Sequence, residues 1–176
     1  MGVVVVIIWA LEIVDVLTFH ALDRFGIEPR TFGSLPEIFS APWLHFGWAH
    51  LASNTVPLFV LGTIILLSGV RYFLYVTLFS MVSSGLLVWL ISETGSTTLG
   101  ASGVIFGYLV YVLARAFYTR NSWQIIVAVI VGLFYGGLLW GVLPSAAGIS
   151  WQAHLGGAIG GFLAARWLHR NNSYIG

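Results

Sequence analysis

The chain has 176 residues, of which 59% are hydrophobic and only 7% are charged, and its net charge is +1. Soluble domains carry about 25% charged residues, so this composition leaves too few charges to cover a water-facing surface. The small net charge excludes a basic surface for nucleic acid, and the lack of cysteine excludes disulfides and thiolate metal sites. A polytopic membrane protein, with lipid as its solvent, fits these numbers.

Six apolar segments are long enough to cross a bilayer, whose ~30 Å hydrocarbon core requires about 20 helical residues. The first segment has no basic region before it and no small-residue cleavage site after it, so we interpret it as a retained span. The sequence thus predicts an all-α bundle of six transmembrane helices in one domain, residues 1–176. In chain order the spans are Val3–Phe19, Ala49–Leu67, Tyr72–Ile91, Ser102–Tyr118, Trp123–Val142 and Trp151–His169.

The connection between the first two spans, from His20 to Trp48, is too long for a minimal turn and too polar to lie in lipid. Aromatic residues at its end, Trp43, Phe46 and Trp48, are typical of a membrane interface. Long ordered loops are often functional. We therefore expect a folded, partly embedded loop here.

The arginines predict the orientation, because the chain has no lysine. With six spans, five of the seven arginines lie at or just after the ends of spans 2, 4 and 6, on one side of the membrane. The positive-inside rule places this side, and both termini, in the cytoplasm, and the long first loop outside. These five are Arg71, Arg115, Arg120, Arg166 and Arg170.

Four polar side chains within the spans, His50, Asn54, Ser102 and His154, lie where such groups are costly and tend to be functional. At ~1.5 Å per helical residue, Ser102 and His154 lie about 20 and 18 Å from the arginines that end their spans. Asn54 reaches the same depth, with His50 one turn above it on the same face. The sequence therefore predicts one polar layer below the outer surface.

This layer contains the groups that a serine hydrolase requires. Ser102 needs a base to remove its proton, and the His154 imidazole is the usual kind of base. His50, Asn54 and the backbone N–H of Ser102 can stabilise an oxyanion, and the start of a helix favours the developing charge. Taken singly, each residue also has a structural explanation: Ser102 packs helices, His154 is a buried hydrogen-bonded histidine, and Asn54 bonds a neighbouring helix.

The carboxylates lie away from this layer in the sequence, so a Ser-His dyad without an acid is expected. Glu12 and Asp15 lie one turn apart on the first span. We interpret them as an anchor for the first loop, with a proton relay as the alternative. His45 is interpreted as a residue that fixes this loop.

Three motifs, in order along three spans, resemble those of the rhomboid intramembrane serine proteases. "HFGWAHLASN", residues 45–54, resembles the family's second-helix motif H-x-x-x-x-H-x-x-x-N. "GASG", residues 100–103, resembles its nucleophile motif G-x-S-G, and "AHLGGAIGG", residues 153–161, resembles A-H-x-x-G-x-x-x-G. The resemblance covers nearly the whole chain and is closest to the minimal bacterial form, without an extra soluble domain or a seventh helix.

The resemblance implies a single rhomboid-type protease domain over residues 1–176, a multi-pass protein of the bacterial inner membrane. It implies a serine endopeptidase that cuts in or near transmembrane segments of other proteins, without cofactor or metal. The first loop would be the family's embedded loop, and span 5 its mobile lateral gate. The implied site comprises Ser102 as nucleophile, His154 as general base, and His50, Asn54 and the Ser102 backbone N–H as oxyanion hole, supported by Gly100, Gly103, Phe106, Gly157 and Gly161.

Two departures from the family pattern stand out. Phe106 occupies the position of a ring, often tyrosine, that stacks on the catalytic histidine, and the Trp-Arg pair common in the first loop is absent. A catalytically weak, client-binding relative is the alternative function, although such proteins lack the serine or the histidine. A transporter would favour internal repeats and ionisable groups at mid-membrane, and a zinc protease would need H-E-x-x-H.

Overall fold

The computed structural model describes residues 1–144 and 149–172 of the chain. Within these residues the structure is helical, with a single isolated β-bridge and no strand, which confirms the all-α prediction. The α-helices follow the predicted spans within one to three residues, except at the end of the fifth. They are α1 (Gly2–Leu17), α2 (Trp48–Leu66), α3 (Val70–Ile91), α4 (Ser102–Thr119), α5 (Ser122–Tyr135) and α6 (Trp151–Asn172).

The fifth span differs from its prediction. Its α-helical part ends at Tyr135, and Gly136–Val142 continues as a 3-10 helix. The glycines in this stretch, Gly136, Gly137 and Gly141, are poor α-helix formers, and a 3-10 segment is a common way for a helix to end. Span 5 is therefore not one regular helix.

Four helical segments of the described residues are long and apolar enough to cross a membrane: α2, α3, α4, and α5 with its 3-10 extension. Of the other two predicted spans, α1 has only 16 residues, and α6 is long enough but the least apolar of the six α-helices. The six-span count therefore stays a prediction.

The helix α4 is the centre of the bundle. It packs on α2, α3, α5 and α6, and α3 also packs on α6. It contributes more buried side chains to the main core than any other helix, and among them Leu109 and Tyr108 are almost completely buried. The first residue of α4, Ser102, is thus attached to the part of the molecule with the most surrounding protein.

The segment between α1 and α2 contains four short 3-10 turns, within residues 23–43. It is joined to the strand-like residues before α4, because Ile27 and Thr98 exchange two backbone hydrogen bonds of 3.0 and 3.1 Å. The Gly100 N–H also donates to the Ala41 carbonyl at 3.0 Å. This loop therefore supports the turn that leads into Ser102.

Side-chain hydrogen bonds from an arginine of the loop and a tryptophan of α3 fasten the same loop to the end of α3. The Arg30 guanidinium donates to the Leu90 carbonyl at 3.1 Å and to the Thr94 hydroxyl. In return, the Trp89 indole N–H donates to the Thr31 carbonyl at 2.9 Å. The Trp-Arg pair expected within the loop is absent, but a tryptophan of α3 and an arginine of the loop hold the loop in place.

At its other end the loop is held by α1. The Asp15 carboxylate accepts hydrogen bonds from the Leu22 N–H and the His20 ring, both at 2.8 Å. Asp15 therefore anchors the loop, whereas the neighbouring Glu12 is buried close to the Gly47 backbone, at the start of α2. Asp15, His20 and Asp23 bring possible metal ligands within 4.8 Å of one another, although no metal is expected from the sequence. The hydrogen bonds of Asp15 account for this grouping.

Candidate active site

The structure brings Ser102 and His154 together, although they are far apart in sequence. Ser102 begins α4 two residues after Gly100, whose φ of +121° is a conformation that favours glycine. The Ser102 Oγ lies 3.0 Å from His154 Nε2, a hydrogen-bond distance. A hydroxyl and an imidazole at this separation can exchange a proton.

The other contacts of His154 fix the orientation and the tautomer of its ring. His154 Nδ1 lies 2.9 Å from the Gly141 carbonyl, which can only accept, so Nδ1 carries the proton. Nε2 is then the free base that faces Ser102. Phe106 stacks on the imidazole with ring centroids 4.0 Å apart and planes at 6°.

Glycines let α4 and α6 approach closely enough for this contact. A Cβ added at Gly157 would lie on the backbone of Gly103, and one added at Gly161 would lie on the backbone of Gly107. Small residues at four-residue spacing permit such backbone contact between membrane helices. These glycines therefore set the separation at which Ser102 meets His154.

The helix α3 completes this close packing. Its Ser84 hydroxyl donates to the Ala153 carbonyl of α6 at 2.9 Å and lies against Gly103. The second glycine pair of α6, Gly156 and Gly160, faces the backbone of α3. One glycine pair of α6 thus packs on α4 and the other packs on α3.

His50 lies beside the turn that precedes Ser102. The Phe46 N–H donates to its Nδ1 at 3.4 Å, so in the neutral ring Nε2 carries the proton. A Cβ added at Gly100 would lie 2.8 Å from this Nε2. Gly100 therefore leaves room for an imidazole N–H close to Ser102.

Asn54 lies one turn further along α2 and is 5% exposed. Its amide nitrogen donates to the His50 carbonyl at 2.8 Å, which uses one of its two N–H groups. This bond orients the side chain toward the same face of α2 as His50.

His45 contacts both His50 and the turn that precedes Ser102. The Ala101 N–H donates to its Nε2 at 3.4 Å, and its ring meets that of His50 edge to face at 5.1 Å. Burial, together with the neighbouring His50, lowers the pKa of His45 to about 3. His45 is therefore a neutral hydrogen-bond acceptor that fixes the turn before Ser102, in line with the loop-fixing role expected for it.

A cavity of about 600 Å³ joins these groups. Five of the predicted site residues line it: His50, Asn54, Ser102, Phe106 and His154. The predicted glycines lie behind it, where the helices meet. Its lining also includes polar residues that no sequence motif marked, among them Ser53, Ser92, Glu93, Ser150 and Gln152.

Three contributors to the site, Ser80, Ser84 and Gly141, were not predicted from the sequence. Ser80 lies against Gly107 as Ser84 lies against Gly103. Ser80 and Ser84 have the same four-residue spacing as the glycine pairs, and this spacing in α3 was a usable signal. The role of Gly141 had no such signal, because it acts through its backbone carbonyl.

Comparisons with known proteins connect the chain to one family. A family sequence model described as the Rhomboid domain matches residues 33–171. An uncharacterized protein of Mycobacterium tuberculosis is 38% identical over 172 residues, which cover 93% of this chain and 72% of that protein. A second uncharacterized protein, from Mycobacterium leprae, is 41% identical over 170 residues, covering 92% and 67%.

A further relative has a descriptive name. Rhomboid protease GluP of Bacillus subtilis is 35% identical over 132 residues, 71% of this chain and 24% of GluP. Together with the four apolar helices, the domain match indicates an integral membrane protein. Because the match extends over most of the sequence, from the loop after α1 through nearly all of α6, this chain belongs to the rhomboid family.

Proposed function

We propose that this protein is an intramembrane serine endopeptidase that hydrolyses peptide bonds in or near transmembrane segments of membrane-protein substrates. The observation that carries the proposal is the 3.0 Å contact between Ser102 Oγ and His154 Nε2. The tautomer that the Gly141 carbonyl selects leaves Nε2 unprotonated, as a general base requires. The name of the Bacillus relative, a rhomboid protease, gives independent support.

The proposed reaction has two stages. His154 Nε2 takes the Ser102 proton while Oγ attacks the substrate carbonyl, and the imidazolium then protonates the leaving amine. Water, activated by the same imidazole, hydrolyses the acyl-enzyme. The Gly141 carbonyl stabilises the imidazolium through its hydrogen bond to Nδ1, in the place where other serine proteases use a carboxylate.

The negative charge on the tetrahedral intermediate needs donors already in position. We assign this role to the His50 Nε2–H, the Asn54 amide and the backbone N–H of Ser102, all next to one cavity. The start of α4 adds its dipole, which favours a developing anion.

The topology belongs to the same proposal. Residues 1–176 form one rhomboid-type domain of six spans in a bacterial inner membrane, with both termini cytoplasmic. The loop between α1 and α2 lies partly embedded at the outer face, and α5 with its extension acts as the lateral gate. A substrate helix must unwind locally before its carbonyl can reach Ser102, because helical carbonyls are already hydrogen-bonded.

The experiment is cleavage of a tagged model transmembrane substrate by purified protein in liposomes. Ser102→Ala and His154→Ala are each expected to lower the rate by at least about 10³-fold. Ser53→Ala, which alters another serine in the same cavity, is the matched control and is expected to retain cleavage.

Labelling with a fluorophosphonate identifies the nucleophile separately. Label on the wild type that disappears in Ser102→Ala supports the proposal, and label that persists places the nucleophile elsewhere. A wild type that neither cleaves nor labels, while it binds the substrate, would favour the client-binding alternative.

A further inference from the structure

A second cavity, of about 310 Å³, lies at the other end of α4 from Ser102. It separates the end of α2 from the start of α5, and α4 forms its back wall. Its lining combines apolar side chains with a few polar ones at the rim. The apolar residues are Ile64, Ile65, Leu67, Val112 and Val127, and the others are Ser68, Tyr111, Arg115, Trp123 and Gln124.

Arg115 is the charged group in this cavity. Its guanidinium donates to the Ser68 hydroxyl and lies over the rings of Tyr72 and Tyr111, with centroids at 5.1 and 6.0 Å. These contacts hold the half-buried side chain in place. The guanidinium also forms a hydrogen bond with the Tyr111 hydroxyl, which leaves about three of its five N–H donors for a ligand.

No carboxylate lies within 4.0 Å of Arg115 in the part of the chain that the structure describes. The sequence explains this, because the six acidic side chains are all located near the opposite end of the bundle. Four other arginines are found near the Arg115 end instead. The acids are Glu12, Asp15, Asp23, Glu28, Glu37 and Glu93, and the other arginines are Arg71, Arg120, Arg166 and Arg170.

We infer that this cavity binds an anionic phospholipid, with the headgroup phosphate on Arg115. The planar guanidinium matches a phosphate with two parallel hydrogen bonds. Gln124 can add an amide N–H, because its carbonyl oxygen already accepts from the Thr119 hydroxyl at 2.6 Å. Basic cavities between transmembrane helices are suited to such headgroups.

The apolar side of the cavity takes the first part of an acyl chain. Ile64 and Ile65 come from α2 and Val127 from α5, so the lipid contacts both helices. Trp123 at the rim is 70% exposed and suits the interface between headgroups and hydrocarbon. The bound lipid thereby joins α5 to α2 at this end of the bundle. This binding does not depend on the proposed protease activity.

Native mass spectrometry of the purified protein tests the inference. The protein is released from nanodiscs of phosphatidylcholine containing a minor fraction of phosphatidylglycerol, and the retained lipid is identified. We expect wild type to retain phosphatidylglycerol in preference to phosphatidylcholine. Arg115→Gln should lower the retained phosphatidylglycerol about fivefold, the effect of one arginine near an anionic surface.

The matched control is Arg71→Gln, which removes an arginine of the same end that lies over the Tyr75 ring outside the cavity. It should retain phosphatidylglycerol like the wild type. Val127→Trp fills the cavity and leaves Arg115 unchanged, so it should lose the lipid even if Arg115→Gln is unstable.

Three results would overturn the inference. Equal losses in Arg71→Gln and Arg115→Gln would show only a general attraction to the arginines. Unchanged retention in Val127→Trp would place the lipid outside this cavity. Displacement of the lipid by millimolar inorganic phosphate would make the site one for a free anion.

Discussion

The helices α4 and α5 follow each other in the chain and are both apolar, yet they have very different surroundings. Ten residues of α4 are buried, whereas in α5 only Val131 is. Gly103 and Gly107 bring α4 into backbone contact with α6. At Gly132 of α5, by contrast, an added Cβ would find one close neighbour among the described residues outside its own helix, the Leu113 side chain at 3.8 Å. The difference shows that small residues, rather than overall apolarity, decide which membrane helix packs on protein.

The candidate site spans both kinds of region. Ser102 and His154 come from the closely packed pair α4 and α6, while the carbonyl that orients His154 belongs to Gly141, in the extension of α5. The packing of α4 on α6 therefore sets the distance between Ser102 and His154. The extension of α5 sets which nitrogen of the His154 ring carries the proton. Four predictions test this division, from the largest expected effect to the smallest.

Two glycine substitutions should have opposite effects. Gly157→Ala places a Cβ against the Gly103 backbone, so we expect a loss of about 3 kcal/mol of unfolding free energy and most of the cleavage activity. Gly132→Ala meets ordinary contacts and should stabilise α5 by up to about 1 kcal/mol. Unfolding by SDS titration measures both. Equal tolerance of the two substitutions would remove the proposed distinction between α4 and α5.

His45 should make the free energy of unfolding depend on pH in the acid range. Its pKa is about 3 in the folded protein and near 6.5 when exposed, so the unfolded state binds the proton first as the pH falls. Stability contributed by neutral His45 is full above pH 6.5 and decreases toward pH 3, by about 2 kcal/mol at pH 5.

Unfolding free energies at pH 5 and 7.5 measure this effect. In His45→Gln the amide oxygen can still accept from the Ala101 N–H, and the dependence on pH should be weaker by that amount. An unchanged dependence in the variant would show that the acid sensitivity does not come from His45.

Variants of Phe106 test how much the stacking of its ring on His154 contributes. Phe106→Leu removes the ring that stacks on His154 and should lower kcat by about two- to tenfold, since such aromatic contacts contribute about 0.5–1.5 kcal/mol. Phe106→Tyr keeps the ring and should retain activity. The KM of a model substrate should stay unchanged in both variants. A larger loss in Phe106→Tyr than in Phe106→Leu would contradict the stacking role.

The smallest effect is expected on the exposed face of α5. Leu133 is 80% exposed, and we expect Leu133→Ala to change the unfolding free energy by less than about 0.5 kcal/mol. Leu109→Ala, at a fully buried position of α4, is the matched comparison and should cost about 2–5 kcal/mol. A similar loss in both variants, by SDS titration, would show that α5 is held by more protein contact than the structure gives it.

The sequence by itself determined the helical character, most of the helix positions and five of the residues that line the cavity. The length of an apolar segment predicts where a helix lies, and the spacing of glycines predicts where two helices meet. Ser102 and His154 could therefore be paired from sequence patterns alone. The end of α5 was predicted less well, because a hydropathy pattern does not distinguish an α-helix from the glycine-rich 3-10 segment after Tyr135.

Only the tertiary structure decided how the base is oriented and how the first loop is held. Gly141 orients His154 through a carbonyl group, and every residue has one, so no residue type marks it. Trp89 and Arg30 lie on separate segments, and their contacts depend on how the loop folds against α3. Side-chain chemistry follows directly from the sequence, whereas backbone partners are decided only when the helices pack.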